Sequence, residues 1–456
     1  MNILQQRKQL ELNLDYPDEI ISRDFSSEMY IASHLSESPT GRIRLLESIL
    51  ERENMRIALQ RVKSNEGAPG IDKMTVEQLP VYVKRHWIKI RQAILDGTYD
   101  PLPVRRKEIP KPDGGVRLLG IPTVLDRLIQ QAVAQVLQKI WDYTFSESSF
   151  GFRPERCQSD AIKRAHEYVK DGCRYVVDMD LSKFFDRVNH DRLMSRLATR
   201  IKDKRVLKLI RKFLTAGIMT GGLVSSSEEG TPQGGPLSPL LSNIVLDELD
   251  KEMEKRNLRF VRYADDFMIY VRTKRAGERV MKSISKFITD KLRLQVNEEK
   301  SAVSHPWWRC FLGFSFTSSK DNPQIRIHSK SFRKFKERVK ELVPKNGGRS
   351  MYKVVYELNL FTRGWWNYFK LATTRSMFRS LNGWIFRKLR ALLWKQWKNP
   401  RTRVRNLKKL GIYHSHAMTC GNARKGAWRM SKVKWIVIAM PNNYFIQKYG
   451  LFLPGN

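Results

Sequence analysis

Two stretches place carboxylates where an apolar strand would be expected to continue. The run Arg174-Tyr175-Val176-Val177-Asp178-Met179-Asp180-Leu181-Ser182-Lys183-Phe184-Phe185-Asp186 is strand-like and ends in acids. The run Phe260-Val261-Arg262-Tyr263-Ala264-Asp265-Asp266-Phe267-Met268-Ile269-Tyr270-Val271 reads as a β-hairpin with Asp265 and Asp266 at its tip. Adjacent acids in an apolar hairpin are costly, because repulsion and desolvation both disfavour the charged form unless a cation compensates. That cation could be an arginine or lysine of the chain. Asp265 and Asp266 together with Asp180 would instead suit two Mg2+ ions, which prefer carboxylate oxygen. Asp178 shares the strand face of Asp180, yet reads as a supporting or surface acid rather than a catalytic one. Asp186 and Asp191 read as helix caps or surface residues, and His190, between Asn189 and Asp191, as part of a turn.

The elements that must position these acids follow from periodicity. Residues 41–62 read as one amphipathic helix, and Ala68-Pro69-Gly70-Ile71-Asp72 as a loop. Residues 76–140 mix helix with a strand pair around Lys111-Pro112-Asp113-Gly114-Gly115-Val116, whose Asp-Gly-Gly is a hairpin signal. Residues 155–310 alternate helices with short apolar strands. From about 329 the pattern is helical: Phe332, Phe335, Val339 and Leu342 share one face, as do Val354, Leu358, Phe361 and Trp365, and then Phe378, Leu381, Ile385, Leu389 and Leu392. Lysines and arginines lie opposite the first of these faces, at 330–336, as a solvated surface facing a polyanion. Pro400 and Arg401-Thr402-Arg403-Val404-Arg405 mark a boundary.

Composition narrows the function classes. The 456 residues hold 84 Lys+Arg against 46 Asp+Glu, a net charge of +38. Self-repulsion at that charge destabilises a compact chain unless a polyanion neutralises it, so nucleic acid is the expected partner. Residues 1–40 run the other way, with three basic and seven acidic side chains, and read as a peripheral extension of unassigned role. Residues 358–456 contain no acid, 20 basic residues and seven of the eleven tryptophans. Most of those aromatics are expected to hold helices together while the arginines and lysines point outward. Four dispersed cysteines (Cys157, Cys173, Cys310, Cys420) offer neither a disulfide framework nor a paired zinc motif. No apolar run approaches the ~18 residues of a membrane span; the longest, 435–440, reads as a single strand. The N-terminus has neither signal-peptide nor transit-peptide character, which points to a bacterial, cytoplasmic, nucleic-acid-associated protein.

Taken together, the motifs resemble a known family. Tyr263-Ala264-Asp265-Asp266 in a hairpin, preceded by Asp180-Leu181-Ser182-Lys183-Phe184-Phe185-Asp186, resembles the palm of a reverse transcriptase. In order along the chain, Ile109-Pro110-Lys111-Pro112-Asp113-Gly114-Gly115-Val116-Arg117 is similar to the fingers hairpin and Pro232-Gln233-Gly234 to the Pro-Gln-Gly motif. Asn297-Glu298-Glu299-Lys300 is similar to the lysine motif, and Phe311-Leu312-Gly313-Phe314 to the primer grip. Ala68-Pro69-Gly70-Ile71-Asp72, Ser149-Phe150-Gly151-Phe152-Arg153-Pro154 and Arg363-Gly364-Trp365-Trp366-Asn367-Tyr368-Phe369 resemble the group II intron-encoded reverse transcriptase/maturases, most closely the short bacterial group IIC type without an endonuclease domain. The resemblance covers roughly residues 41–400.

It implies an α+β right-hand polymerase with a helical thumb. Residues 1–40 would be an extension, 41–155 fingers, 156–316 palm, 317–400 the thumb/maturase domain and 401–456 a basic nucleic-acid-binding tail. It implies RNA-directed DNA synthesis from dNTPs with two Mg2+ ions held by Asp180 and Asp265, with help from Asp266 and the Leu181 carbonyl. One ion would activate the primer hydroxyl and the other would stabilise the departing pyrophosphate. Lys111 and Arg117 would neutralise the triphosphate. Phe185 would block a ribose 2′-OH, Gln233 would lie near nucleotide and template, and Lys300 would donate a proton to pyrophosphate. Arg363, Arg401, Arg403 and Arg405 would contact nucleic acid. Implied partners are intron RNA, an RNA template with DNA primer, and target DNA. Two rival readings remain: a domesticated or retron-like enzyme serving repair or defence, and a non-catalytic RNA-binding splicing cofactor.

Overall fold

The structure, a computed structural model, describes residues 44–110, 116–182, 184–220, 223–225, 234–344, 348–373 and 375–453. The extension 1–40, Lys111, Lys183 and Gln233 lie outside the described residues, as do the side chains of Arg117 and Asp186. The chain divides into two compact units. One holds the described residues up to Ala165 together with Tyr175–Ser304; the other holds His166–Arg174 and the described residues from His305 onward.

The first unit begins with helices α1 (Leu45–Ile49), α2 (Arg52–Ser64) and α3 (Leu79–Leu95). Strands β1 (Val104–Pro110) and β2 (Val116–Ile121) follow, then α4 (Val124–Trp141) and α5 (Gln158–Lys170). Next come β3 (Tyr175–Met179), α6 (His190–Ala198), α7 (Lys204–Thr215), β4 (Ile218–Thr220), β5 (Leu223–Ser225) and α8 (Ser238–Lys255). The unit closes with β6 (Arg259–Tyr263), β7 (Asp266–Val271), α9 (Lys274–Asp290) and β8 (Ala302–Ser304). Its two four-stranded sheets have the orders β2-β1-β4-β5 and β6-β7-β3-β8. The second of these is antiparallel throughout and carries the acids. Helix starts are set by short polar side chains that satisfy otherwise orphaned N–H groups: Thr123 caps α4, Asn189 α6, Asp203 α7 and Thr273 α9.

The expected single helix over 41–62 is two. Buried positions fall at Leu45, Leu46, Ile49 and Leu50, then at Met55, Ala58, Leu59 and Val62. The five-residue step from 50 to 55 breaks the helical period. The backbone follows it, with Glu51 extended at φ −60°, ψ 143° between α1 and α2.

The second unit pairs β9 (Phe314–Phe316) with β10 (Ile325–Ile327) and is otherwise helical. Its helices are α10 (Ser329–Leu342), α11 (Met351–Phe369), α12 (Arg375–Gln396), α13 (Pro400–Lys409), α14 (His414–Gly421), α15 (Ala427–Met430), α16 (Lys434–Ala439) and α17 (Asn442–Tyr449). The expected helical faces are buried: Phe335 and Val339 on α10, Val354 and Leu358 on α11, and Leu381, Ile385 and Leu389 on α12. Residues from both 317–400 and 401–456 contribute to one apolar cluster running from Phe335 to Leu453. Residues 435–440, expected as a strand, form most of α16. Ile436, Ala439 and Met440 are buried while Val437 and Ile438 are exposed, a three-to-four-residue period rather than alternation. Among the described residues no helix is long and apolar enough to cross a membrane, and all four cysteines are free.

Candidate active site

The acids stand at one end of the β6-β7-β3-β8 sheet. The β3–β7 register pairs Asp178 with Met268 and Met179 with Phe267. Continued by one residue it sets Asp180 opposite Asp266. Directly opposed residues share a sheet face, so Asp178, Asp180 and Asp266 face the same way. Asp265 occupies the two-residue turn between Tyr263 and Asp266, which pair across β6 and β7.

The end of β3 is tied down by the segment preceding β8. The Asp180 amide donates to Ser301 Oγ at 3.0 Å, and the Asp180 carbonyl accepts from the Asn297 amide at 2.7 Å. Leu181, buried, bridges to Val296, and the Ser182 amide donates to the Gln295 carbonyl at 2.8 Å. The same segment brings Lys300 Nζ to 3.7 Å from Asp180 Oδ2.

The hairpin turn is strained and held by buried charge. Ala264 has φ +59°, a left-handed conformation that costs an L-residue ~1–2 kcal/mol. Arg262, fully buried on β6, donates through Nη1 to the Ala264 carbonyl and to Asn243 Oδ1, both at 2.9 Å. Its Nε and Nη2 grip Asp250 of α8, also fully buried. Asn243 Nδ2 then donates to the Gly151 carbonyl at 2.9 Å. Residues 148–150 run alongside β6: the Arg262 amide donates to Ser148, and the Phe150 amide to Arg262, each at 2.9 Å. A Cβ on Gly151 would lie 2.4 Å from the Ala264 nitrogen, so only glycine lets the chain pass this close. Arg153 fastens the segment through the Asp142 carboxylate and the Ser146 and Ser149 carbonyls. The Ser149–Pro154 motif is thus a buttress for the acidic turn. Sequence reading missed Arg262, Asp250 and Asn243; the signal was a lone arginine inside the apolar run 260–263.

Asp266 is pushed up to about 8, first by burial and then by the charges of Asp178, Asp265 and Asp180. Four carboxylates that sense one another form a hard oxygen donor set lacking positive charge. Among the described residues no three or more His, Cys, Asp or Glu converge closely enough to hold a metal by themselves. Mg2+ fits this arrangement because it is commonly bound by one or two carboxylates plus substrate phosphates.

Beside Asp265 opens a cleft of about 550 Å³. Its lining includes Phe185, Phe152, Ala264, Asn65, Arg127 and Gln131. Phe184 and Phe185, in a single 3-10 turn, meet edge to face at 5.2 Å. Phe184 is 2% exposed in the core, whereas Phe185 opens on the cleft. Arg117 lies on β2 opposite Ile109. Asp191 is exposed and ion-paired to Arg211, and His190 is buried in the first turn of α6.

In the second unit, Trp365 packs on Phe335 at 4.3 Å and Phe369 at 4.8 Å, so the Arg-Gly-Trp-Trp segment is mainly core. Arg363 is exposed, its guanidinium 5.3 Å from the Phe452 ring. Arg401 and Arg405 line a groove of about 490 Å³ with Lys408, Lys409 and His414. Arg403 instead lies 5.1 Å over the Trp394 ring.

An acidic hairpin tip facing the acidic end of a central strand, beside a nucleotide-sized cleft, defines a nucleic-acid polymerase palm. Residues 109–329 match the family described as reverse transcriptase (RNA-dependent DNA polymerase), and residues 332–411 the group II intron maturase-specific domain. The chain is 34% identical to Protein YkfC of Escherichia coli over 60% of its own length and 83% of that protein. It is 32% identical to the group II intron-encoded protein LtrA of Lactococcus lactis over 58% of its length, spanning about half (54%) of that protein. Among solved structures it is similar to a chain of a partial Cas6-RT-Cas1–Cas2 complex, at 24% identity and a TM-score of 0.35, over 54% of this chain and 43% of that one. The chain belongs to the group II intron-encoded reverse transcriptase/maturase family, whose members are RNA-directed DNA polymerases.

Proposed function

We propose that this chain copies RNA into DNA from dNTPs at the Asp180–Asp265–Asp266 site, and that its helical unit binds intron RNA to assist splicing and mobility. The observation that carries the reading is the set of carboxylates around Asp266, which burial and like charge leave short of a cation, beside a cleft of about 550 Å³. Asp180 and Asp265 would hold two Mg2+ ions, with Asp266 assisting and the Leu181 carbonyl as a further oxygen. When bound, the ions would lower the pKa of the primer hydroxyl and neutralise charge on the leaving pyrophosphate. The chain's own groups do the rest. The Arg262–Asp250 pair fixes the turn so that Asp265 is preorganised. Phe185 offers its ring to the nucleotide sugar. Lys300, near Asp180, is placed to give a proton to pyrophosphate. Lys111, Arg117 and Gln233 are assigned the triphosphate and template contacts. Arg363 and the α13 arginines are assigned RNA phosphates.

Primer extension on an RNA template tests the reading. The wild-type chain is expected to extend with Mg2+ and stop with chelator. Asp265→Asn is expected to abolish extension while RNA affinity stays within about twofold, because the basic surfaces are untouched. Retention of more than a tenth of the activity by that variant would remove Asp265 from the chemistry. Splicing of the flanking intron RNA, with and without protein, tests the second half.

A further inference from the structure

Arg127 is 9% exposed, lines the cleft beside Asp265 and has no ion-pair partner among the described residues. A guanidinium out of water is costly unless an anion meets it. Nη2 of Arg127 donates to the Ala68 carbonyl at 2.7 Å, and Nε is buried without a partner. Asp126, its neighbour on α4, is already engaged by Thr123 Oγ1, the Tyr99 hydroxyl and the Leu102 amide. The remaining carboxylate that it senses is Asp72, while Arg105 of β1 opposes it with like charge. Arg105 is half-buried, and its Nε also is buried without a partner. Two arginines near enough to repel, with no carboxylate bridging them, form a site that lacks its anion.

The surroundings are built for close approach. The loop 67–72 lies flat against α4. A Cβ on Gly67 would fall 2.1 Å from Arg127 Nη1, and one on Gly70 would fall 2.6 Å from the Thr123 Cα. Next to Arg127 the cleft wall carries the amides of Asn65 and Gln131, which can pair with ribose hydroxyls or base edges, and no carboxylate from α2 or α4.

We propose that Arg105 and Arg127 form a phosphate site for the template strand, gripping the backbone of the nucleotide about to be copied. The inference rests on the polymerase reading above. A triphosphate is drawn to the carboxylate end of the cleft, where cations must sit. The carboxylate-free wall of α2 and α4 takes the opposing strand.

The test is equilibrium binding of two RNA–DNA duplexes, one with a single-stranded 5′ RNA overhang and one blunt, at several salt concentrations. Arg127→Gln and Arg105→Gln are each expected to weaken overhang binding about tenfold. Each should flatten its log–log salt slope by about 0.7, the value for one single-stranded phosphate contact. Blunt-duplex binding and the KM for dNTP should stay within about twofold. Arg105 makes no bond to Ala68, so Arg105→Gln separates charge from the clamping of the loop. Its loss should leave thermal stability unchanged or raised, since it relieves repulsion. A raised dNTP KM with unchanged overhang affinity would overturn the assignment in favour of the triphosphate. An unchanged slope in both variants would reduce Arg127 to a structural clamp. Binding needs no synthesis, so a wild-type chain that bound the overhang but failed to extend would count against the polymerase reading alone.

Discussion

Phe184 and Phe185 are adjacent rings with different fates, and the difference is testable. Phe184 is buried in the core, while Phe185 opens on the cleft that Asp265 also lines. A 2′-OH pressed against a packed ring loses its water partner, which by mutational data costs ~1–3 kcal/mol. Each 1.4 kcal/mol is about tenfold in discrimination. Phe185→Ala is therefore expected to raise ribonucleotide incorporation relative to dNTP at least about tenfold, measured by competing nucleotides in primer extension. Phe184→Ala should lower stability by about 3–5 kcal/mol without changing sugar preference. If the Phe184 variant alone shifted preference, the assignment would be off by one residue. Asp180, Asp265 and Asp266 were legible in sequence because carboxylates interrupt apolar strands there. Arg262 interrupts the same kind of strand but went unread, because its partner Asp250 lies on a separate helix and only folding joins them. Arg105 and Arg127 were hidden for another reason. In a chain with 84 basic residues, two arginines without partners look like any others until burial is known.

At the scale of elements, α1 is attached to α7 by charge as well as by apolar contact. Arg205 pairs with Glu47 at 2.7 Å and with Asp203 at 2.9 Å, and Asp203 Oδ2 also accepts from the Leu46 amide at 3.1 Å. Burial alone would raise both acids, but their hydrogen bonds to Arg205 outweigh it and hold both below the ordinary carboxylate range. A depressed folded-state pKa gives stability that is present above the unfolded value, ~4, and is lost as pH falls through the folded value. Arg205→Met is expected to cost about 1–3 kcal/mol at pH 7. The lower end is favoured because the Arg205 and Glu47 side chains are each 37% exposed and solvent-screened. The difference from wild type should be flat between pH 6 and 8 and shrink toward zero below about pH 3, in urea melts at each pH. A difference independent of pH would make this a packing contact rather than an ion pair. Helical faces from α10 to α12 were legible because their apolar period is regular. The break after Leu50 was also present, as the gap to Met55, but a single long helix was the simpler reading. Residues 435–440 misled because β-branched side chains favour strands locally, whereas burial of Ile436, Ala439 and Met440 against the helical cluster decides for α16.

For the whole molecule, a net charge of +38 says that a polyanion is bound but not which side chains touch it. Residues 401, 403 and 405 look equivalent as an Arg-x-Arg-x-Arg run. Asn399 caps and Pro400 opens α13, and a helix turns ~100° per residue. Arg401 and Arg405, one turn apart, therefore share the groove with Lys408 and Lys409. Arg403 falls on the other side and covers Trp394, with Nη2 donating to the Lys398 carbonyl at 3.3 Å. Each neutralised phosphate contributes about 0.7–0.9 to the log–log slope of affinity against salt. Replacing Arg401 and Arg405 together by alanine is expected to flatten the slope for intron RNA by roughly 1.5, two contacts' worth. Arg403→Ala should leave the slope alone and instead lower stability by about 1 kcal/mol, through loss of its cation–π contact. Filter-binding titrations over a range of salt, with melts of the free protein, separate the two effects. A slope that fell for Arg403→Ala and held for the double variant would place the RNA on the opposite face of α13. Equal changes in all variants would mean that the tail acts as a diffuse positive field rather than through the groove.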